Sequence, residues 1–217
     1  MTAEDPSTTM NRSDVPNLIV KTTSLVMHIV KDYVSQGDFV VDCTMGNGHD
    51  TLSLARLTGA DGVSENGGKV LAFDVQEEAL DATRKLLKEN GIKDLRTAGI
   101  RLVKDSHENL QSYLAKVQES PSAIIFNLGF LPGQDKSIVT SKSSTMKAVK
   151  TALDMIAENG IVAVTTYAGH PEGAEEQQVL YDYLKSLPSK KFHVAYINMI
   201  NQKRTAPSVF LITKKKK

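Results

Sequence analysis

The stretch DCTMGNGHDT, residues 42–51, follows the apolar run Phe39–Val41 and places two glycines around one asparagine. Glycine lets the backbone turn tightly and approach a ligand closely, and a glycine turn between a strand and a helix is typical of nucleotide-binding folds. A dinucleotide-binding GxGxxG turn would have a third glycine where this sequence has Thr51, and no GK[ST] sequence follows that would form a P-loop. The turn therefore favours a ligand without a pyrophosphate, such as S-adenosylmethionine (SAM), or else a purely structural turn.

The rest of the chain alternates apolar runs with amphipathic segments. Strands are predicted at residues 39–41, 69–73, 100–104, 123–126, 161–166, 192–197 and 209–213, and helices at 18–34, 51–57, 77–90, 107–117, 141–158 and 172–187. This alternation predicts an α/β fold with a mainly parallel sheet and helices on both faces. The connection 198–208 is too short for a helical crossover, so the last pair of strands is predicted to be antiparallel. Seven strands of this kind are the Rossmann-like plan of class I SAM-dependent methyltransferases.

Composition limits the domain organisation and the classes of function. The 217 residues predict one domain over 18–213, a disordered segment over 1–17 and a basic tail over 214–217. No apolar run approaches the roughly 20 residues that span a bilayer, so a soluble protein without a membrane partner is expected. The net charge of +1 means that any nucleic-acid surface must be a local patch.

The cysteine count and the first residues bear on location and on metal binding. Cys43 is the one cysteine, which excludes an intrachain disulfide and offers no cluster for zinc, so no metal site is predicted. The first 17 residues lack the apolar core of a secretory signal, and Glu4, Asp5 and Asp14 argue against an intact transit peptide. The expected compartment is the cytoplasm, or a plastid or mitochondrion if a transit peptide has been removed.

Polar residues follow the predicted strands, at the sheet edge where such folds bind ligands. Asp74 ends the second strand, where a carboxylate can accept hydrogen bonds from ribose hydroxyls, or can simply begin the helix before Glu77. Asp105, Ser106 and His107 follow the third strand, where one side chain can reach an adenine edge or cap a helix. The predicted cofactor contacts are Asp42, Thr44, Gly46, Asn47, Gly48, His49, Asp50, Thr51, Asp74, Val75, Ser106, His107 and Asn127.

The fourth strand runs into IIFNLGFLPGQDKS, residues 124–137, which is the most specific segment of the chain. Methyltransferases that modify amino nitrogens often carry [DN]PP[YFW] at this position. Asn127 and Phe130 keep the polar first residue and the aromatic fourth residue of that motif. This predicts an oxygen that accepts a hydrogen bond from the attacking amine and a ring that stacks on the target base. The alternative is that Asn127 ends the strand and Phe130 belongs to the core. Tyr167 and His170 follow the fifth strand and can face the same cleft, although a histidine before Pro171 is equally typical of a helix start.

Together these stretches resemble one family, the bacterial-type methyltransferases labelled as rRNA methylases, members of which are associated with methylation of 5-aminomethyl-2-thiouridine at the tRNA wobble position. The resemblance rests on four motifs over about residues 18–213, namely DxTxGNGHDT at 42–51, FNLG[YF]LPGxDK at 126–136, YxGH at 167–170 and INQ at 200–202 with Pro207. Cys43 and Met45 depart from the small residues that are common there, the loop 58–68 is longer, and Lys203–Thr205 replaces a frequent asparagine.

The resemblance implies that SAM methylates the exocyclic amine of 5-aminomethyl-2-thiouridine in the tRNA anticodon stem-loop. The implied catalytic residues are Asn127, which orients the nitrogen, Phe130, which stacks on the base, and Asp135, Tyr167 and His170 as candidates for the proton path. Candidate RNA contacts are Lys136, Lys142, Asn201, Gln202, Lys203 and Arg204. Family habit also suggests a homodimer. The alternatives are a methyltransferase for rRNA or a small amine, and a non-catalytic protein that binds SAM or a nucleotide.

Overall fold

Seven strands form one sheet in the computed structural model, which describes residues 21–64, 66–129, 142–203 and 206–216. The strands are β1 (Phe39–Asp42), β2 (Lys69–Asp74), β3 (Ile100–Lys104), β4 (Ala123–Asn127), β5 (Ile161–Thr166), β6 (Phe192–Ile197) and β7 (Ser208–Lys214). The helices are α1 (Thr22–Val30), α2 (His49–Thr58), α3 (Glu77–Glu89), α4 (Leu110–Leu114), α5 (Lys142–Met155) and α6 (Pro171–Lys185). Two short 3-10 helices, Lys31–Tyr33 and His107–Asn109, adjoin α1 and α4.

The strand order is β3-β2-β1-β4-β5-β7-β6. The strands β1 to β5 pair in parallel, whereas β7 lies antiparallel between β5 and β6. The sheet grows from β1 towards β3 on one side and from β1 towards β4 on the other, so the crevice at the carboxyl ends of β1 and β4 is the topological switch point where such folds bind ligands. The predicted fold class is therefore confirmed, including the antiparallel last strand.

Helices cover both faces of the sheet because successive strand residues point to opposite sides. In β1, Val41 packs into a buried cluster with residues of α4, α5 and α6, whereas Val40 packs with residues of α1, α2 and α3. All six residues of β5 are buried, as expected for a central strand that is covered on both faces. Within the described residues, no helix has the length and apolar character needed to cross a membrane.

Two predicted helices differ most from the observed ones, and the limits of the others differ by up to three residues. Within the described part of 18–34, α1 begins at Thr22 and gives way to a 3-10 turn after Val30. The predicted helix 107–117 is a 3-10 turn followed by one short α-helix. There the Asn109 side chain donates to Asp105 Oδ1 at 2.9 Å, and such local side-chain bonds compete with regular helix. The prediction of one domain over 18–213 with two flanking segments stays a prediction, and residues 1–20 and 217 lie outside the described residues.

Candidate functional site

A cavity of about 870 Å³ opens at the carboxyl ends of the parallel strands. Its volume falls within the range of about 300–1,000 Å³ that is usual for small-molecule sites. The predicted cofactor contacts that line it are Thr44, Gly46, Asn47, His49, Asp50, Asp74, Val75, Ser106, His107 and Asn127. The cavity is therefore built from the segments that follow β1, β2, β3 and β4, as the sequence predicted.

The glycine turn after β1 is held against α3. Gly46 and Gly48 both have positive φ, at 49° and 83°, which glycine adopts without strain. A Cβ on Gly48 would lie 2.8 Å from Thr83 Oγ1 and 2.9 Å from Thr83 Cα, so only glycine fits against α3. Thr83 Oγ1 in turn donates to the Gly46 carbonyl at 3.2 Å. The turn is thus fixed from outside the cavity, and its inner side is left to face a ligand.

Asp42 and Thr51 lie beneath the turn rather than in the cavity wall. Both are buried, and Thr51 Oγ1 donates to Asp42 Oδ2 at 2.7 Å while the Thr44 amide donates to Asp42 Oδ1 at 3.1 Å. Burial, together with the negative charge of Asp50, raises the pKa of Asp42 to about 7. Thr51 therefore does more than replace a third glycine, because its hydroxyl satisfies a buried carboxyl that supports the turn.

Asp74 joins the end of β2 to the glycine turn. Its Oδ2 accepts from the Gly46 amide at 3.0 Å, and its Oδ1 accepts from the Gln76 amide at 3.0 Å. The N-cap of α3 is Gln76, with no side-chain cap bond, so Asp74 is not the capping residue that the alternative interpretation required. Each carboxylate oxygen has a second acceptor site, so Asp74 can bond to the turn and to a cavity ligand at once.

The segment after β3 combines a structural and a cavity-lining role. Ser106 caps the 3-10 helix by accepting from the Glu108 amide at 3.3 Å, as the capping alternative predicted, and it also lines the cavity. His107 is 7% exposed, and its ring lies edge-on to Phe126 with the centroids 5.8 Å apart. Burial lowers the pKa of His107, so the ring is neutral, and Nε2 has no hydrogen-bond partner among the described residues.

These features fit SAM. Asp50, Asp74 and Asp105 give the wall a negative character that suits a cationic sulfonium and amino group. The carboxylate of Asp74 has acceptor capacity for ribose hydroxyls. The neutral His107 beside the cavity leaves a buried acceptor nitrogen without a donor in the protein.

Asn127 lies where β4 enters the cavity, and three neighbours fix its orientation. Its backbone amide donates to Thr44 Oγ1 at 2.7 Å, and its side-chain Oδ1 accepts from the Tyr167 hydroxyl at 2.9 Å. Burial raises the pKa of Asp50, and a hydrogen bond from the Asn127 side chain partly offsets that rise. Because an ionised carboxylate only accepts hydrogen bonds, the Asn127 amide group must point its nitrogen at Asp50 and its oxygen at Tyr167.

Gly129 explains how Tyr167 comes so close to Asn127. A Cβ on Gly129 would lie 3.1 Å from Tyr167 Cδ2, so the ring rests on a position without a side chain. Burial and the nearby charge of Asp50 raise the pKa of Tyr167, which therefore stays protonated at neutral pH and donates its hydrogen bond. Leu128 and Gly129 stand where the [DN]PP[YFW] motif has its two prolines, and the structure gives Gly129 a packing reason.

His170 lies apart from this arrangement and does not line the cavity. It is the N-cap of α6, where Nδ1 accepts from the Gly173 amide at 3.1 Å and lies 3.2 Å from Glu172 Oε2. The structure therefore shows the helix-start role that the sequence left open, and a catalytic role for His170 stays a prediction.

The predicted RNA contacts are only partly described. Asn201, Gln202 and Lys203 are exposed on the connection between β6 and β7. This connection lies at the cavity edge of the sheet because Ser208 pairs with Thr166, the last residue of β5. Phe130, Asp135, Lys136, Arg204 and the side chain of Lys142 lie outside the described residues.

Sequence reasoning missed one wall of the cavity, which the first turns of α1 provide. The lining residues absent from the predictions include Lys21, Thr23, Ser24, Met27, Ser53, Gln76 and Ser144. These side chains are small polar or flexible residues with no motif around them. Only the three-dimensional packing of the helices around the turn reveals them.

The sheet order and the cavity at the carboxyl ends of β1 to β4 define a class I SAM-dependent methyltransferase. Comparison with known proteins then gives the family. The family model described as "Putative rRNA methylase" matches residues 70–213. The chain belongs to this family.

Individual relatives agree with that assignment. An Arabidopsis thaliana protein, "tRNA (mnm(5)s(2)U34)-methyltransferase, chloroplastic", is 32% identical over 192 residues, which is 88% of this chain and 69% of the relative. A "putative rRNA-methylase" structure from Clostridium thermocellum is 34% identical, covers 92% of this chain and 98% of its own, and has a TM-score of 0.79. A structure of a "putative methyltransferase" from Streptococcus mutans in complex with S-adenosylhomocysteine (SAH) is 32% identical. It covers 89% of this chain and 98% of its own, with a TM-score of 0.76. The cofactor of this chain is accordingly SAM.

Proposed function

We propose that this methyltransferase acts on the aminomethyl nitrogen of 5-aminomethyl-2-thiouridine at the wobble position of tRNA and yields 5-methylaminomethyl-2-thiouridine. The name of the Arabidopsis relative supports this tRNA substrate. The observation in this chain that carries the proposal is the bond between Tyr167 and Asn127 at the cavity end of β4, because it presents oriented oxygens to an amine. The coarser activity, SAM-dependent methyl transfer, follows from the family itself.

The reaction makes few covalent demands on the protein. Bound SAM would supply an electrophilic methyl group, so that a nitrogen–carbon bond forms as the carbon–sulfur bond breaks, with SAH as the leaving group and one amine proton lost. The residues of the chain must hold the nitrogen in line with that methyl group, and such positioning alone is worth several orders of magnitude in rate.

Protonation is the main obstacle for an alkylamine acceptor. A primary alkylamine resembles lysine, with a pKa near about 10, and is mostly charged at neutral pH. Asn127 Oδ1 accepts one bond from Tyr167 and retains a second lone pair for an amine hydrogen. Tyr167 has a raised pKa, so we expect it to orient Asn127 rather than to remove the proton. Asp135 and His170 remain candidates for that step.

The direct test is methyl transfer from labelled SAM to tRNA from cells that lack this activity, followed by mass spectrometry of the digested nucleosides. We expect a gain of one methyl group on 5-aminomethyl-2-thiouridine. If calorimetry shows SAM binding but this nucleoside gains no methyl group, the wobble substrate is rejected. Methyl transfer to rRNA or to small amines in parallel reactions would then identify the acceptor class.

A further inference from the structure

The charges of the chain are segregated along the sequence. Residues 183–217 contain nine of the 26 Lys and Arg and none of the 25 Asp and Glu. The rest of the chain is therefore acidic, although the whole protein has a net charge of only +1. A charge asymmetry of this kind is typical of proteins that bind a polyanion with one part of their surface.

The fold gathers these cations along one border of the sheet. Lys190 and Lys191 directly precede β6, and Lys215 and Lys216 directly follow β7. The Lys215 amide donates to the Lys191 carbonyl at 2.8 Å, which brings all four lysines to the same end of the β6–β7 pair. Lys203 lies at the opposite end, on the connection that shares its edge with the cavity. A six-residue strand separates the two ends by about 20 Å.

These cations are available for a ligand. Lys190, Lys191, Lys203 and Lys216 are exposed, and none of them forms a salt bridge with a residue that the structure describes. Lys214 provides the contrast, because its Nζ donates to the carbonyls of Asp154 and Ile156, both at 2.9 Å. The lysines beside it have no such structural bonds among the described residues.

An aromatic groove of about 320 Å³ runs between the two ends. Tyr181 on α6 and Tyr196 on β6 are each 37% exposed, with ring centroids 5.5 Å apart in an edge-to-face arrangement. The Nζ of Lys185 lies 5.8 Å from the centroid of the Tyr181 ring. Exposed rings beside cations are the combination with which proteins bind unpaired bases and the phosphates next to them.

We propose that this border is a docking surface for the RNA substrate outside the cavity. We call it the basic edge and define it by Tyr181, Lys185, Lys190, Lys191, Tyr196, Lys203, Lys215 and Lys216. The inference rests on the proposed function for the identity of the RNA. RNA is favoured because the basic edge begins at the cavity side of the sheet, so one nucleic acid can fill the cavity with its target base and follow the lysines with its phosphates.

The test compares two variants with the same change in net charge. One replaces four lysines of the basic edge (K190Q, K191Q, K215Q, K216Q), and the control replaces four exposed lysines elsewhere (K85Q, K88Q, K93Q, K116Q). Binding of a fluorescent tRNA anticodon hairpin is measured by anisotropy at several salt concentrations, with SAM affinity as a check on folding. We expect the basic-edge variant to bind the hairpin about tenfold more weakly. The slope of its log binding constant against log salt concentration should become shallower by about three. The control variant should keep the wild-type affinity and the wild-type slope.

Three outcomes would overturn the proposal. Equal losses in both variants would mean that net charge alone matters, and an unchanged salt slope would mean that these lysines contact no phosphate. Vesicles containing phosphatidylserine provide the rival ligand, and lysine-dependent vesicle binding without lysine-dependent hairpin binding would assign the surface to a membrane. The binding assay needs no methyl transfer, so lysine-dependent hairpin binding without methylation of any tRNA would reject the proposed function and leave the basic edge standing.

Discussion

The β1–β3 side of the sheet and the β6–β7 side differ in charge and in burial. On the first side, Asp42 is buried and accepts from the Thr44 amide and the Thr51 hydroxyl, while Asp74 lines the cavity and accepts from the Gly46 amide of the glycine turn. On the second side, Tyr196 and the lysines around β6 are exposed. Hydrogen bonds between buried or partly buried groups act over a short range and are little affected by salt, whereas exposed charges act over about 8–10 Å and are screened by salt.

This difference indicates a division of labour between the two sides. A small cofactor, which is bound as SAM and released as SAH in each reaction cycle, can be held by a cavity lined with hydrogen-bonding groups. A large RNA can be attracted by an open charged border and then positioned at one atom by Asn127, which lies at the junction between the two sides. Variants of the cavity should therefore change SAM binding, variants of the charged border should change RNA binding, and variants of Asn127 should change kcat.

The largest effect is expected at the junction. Replacement of Asn127 by alanine should lower kcat by about 100-fold or more, because the acceptor nitrogen loses the group that aligns it. The SAM dissociation constant, measured by calorimetry, should change by less than about threefold, since the carboxylate of Asp74 is untouched. Turnover within about tenfold of the wild type would remove Asn127 from the orienting role. Tyr183→Phe, a change on α6 away from the cavity, is the control for surface effects.

The glycine turn should be the most sensitive part of the cofactor side. Gly48→Ala combines a positive φ with contacts below 3.0 Å to Thr83, and we expect it to lower the free energy of unfolding by about 2–4 kcal/mol. Gly91→Ala is a matched control, because Gly91 has φ +90° and no atom within 4 Å of the added Cβ. Gly91→Ala should lower the free energy of unfolding by only about 1 kcal/mol. Equal losses in urea titrations of the two variants would contradict the account of the turn.

A variant of Asp74 tests whether SAM binding can be weakened without a change in RNA binding. Asp74→Ala should raise the SAM dissociation constant by about tenfold or more, because ribose hydroxyls and the Gly46 amide lose an acceptor. The salt dependence of RNA binding should not change. Asp81→Ala, on the exposed surface of α3, serves as the control. An unchanged SAM dissociation constant in Asp74→Ala would remove the ribose assignment.

The last prediction concerns the dependence of stability on pH. In the folded protein the pKa of Asp42 is raised to about 7 from an ordinary value of 3.8, so the folded chain retains a proton that the unfolded chain has lost between those values. Rising pH therefore destabilises the fold, and the favourable contribution present at low pH disappears as the pH passes about 7. Asp42→Asn removes this dependence. The Tm of the variant minus the Tm of the wild type should therefore increase as the pH is raised from about 5 to about 8. A constant difference over that range would show that Asp42 is charged in the fold.

Local sequence predicted much of the sheet. The predicted limits of β3, β5 and β6 are the observed ones, because runs rich in apolar and β-branched residues are bounded on both sides by polar or glycine residues. The cavity-lining residues after β1 and β2 were likewise predictable, because parallel strands end at the same edge of a sheet. The antiparallel last strand followed from the length of one connection.

Contacts between distant segments were beyond local reasoning. The bond from Thr51 to Asp42 and the bond from the Gly46 amide to Asp74 depend on how α2 and β2 pack around the turn. The cavity wall formed by Lys21, Thr23 and Met27 depends on the placement of α1. Likewise, Lys191 and Lys215 are distant in the sequence, and pairing of β6 with β7 brings them to one border.

The most direct test of the central claim uses two synthetic anticodon hairpins that differ at one position. One carries 5-aminomethyl-2-thiouridine at the wobble position and the other carries unmodified uridine, and the rate of methyl transfer from labelled SAM is measured for both. The account predicts transfer to the first hairpin alone, with the label on the aminomethyl nitrogen, and loss of that transfer in Asn127→Ala. Equal labelling of the two hairpins, or labelling of neither while rRNA or a small amine is methylated, would contradict it.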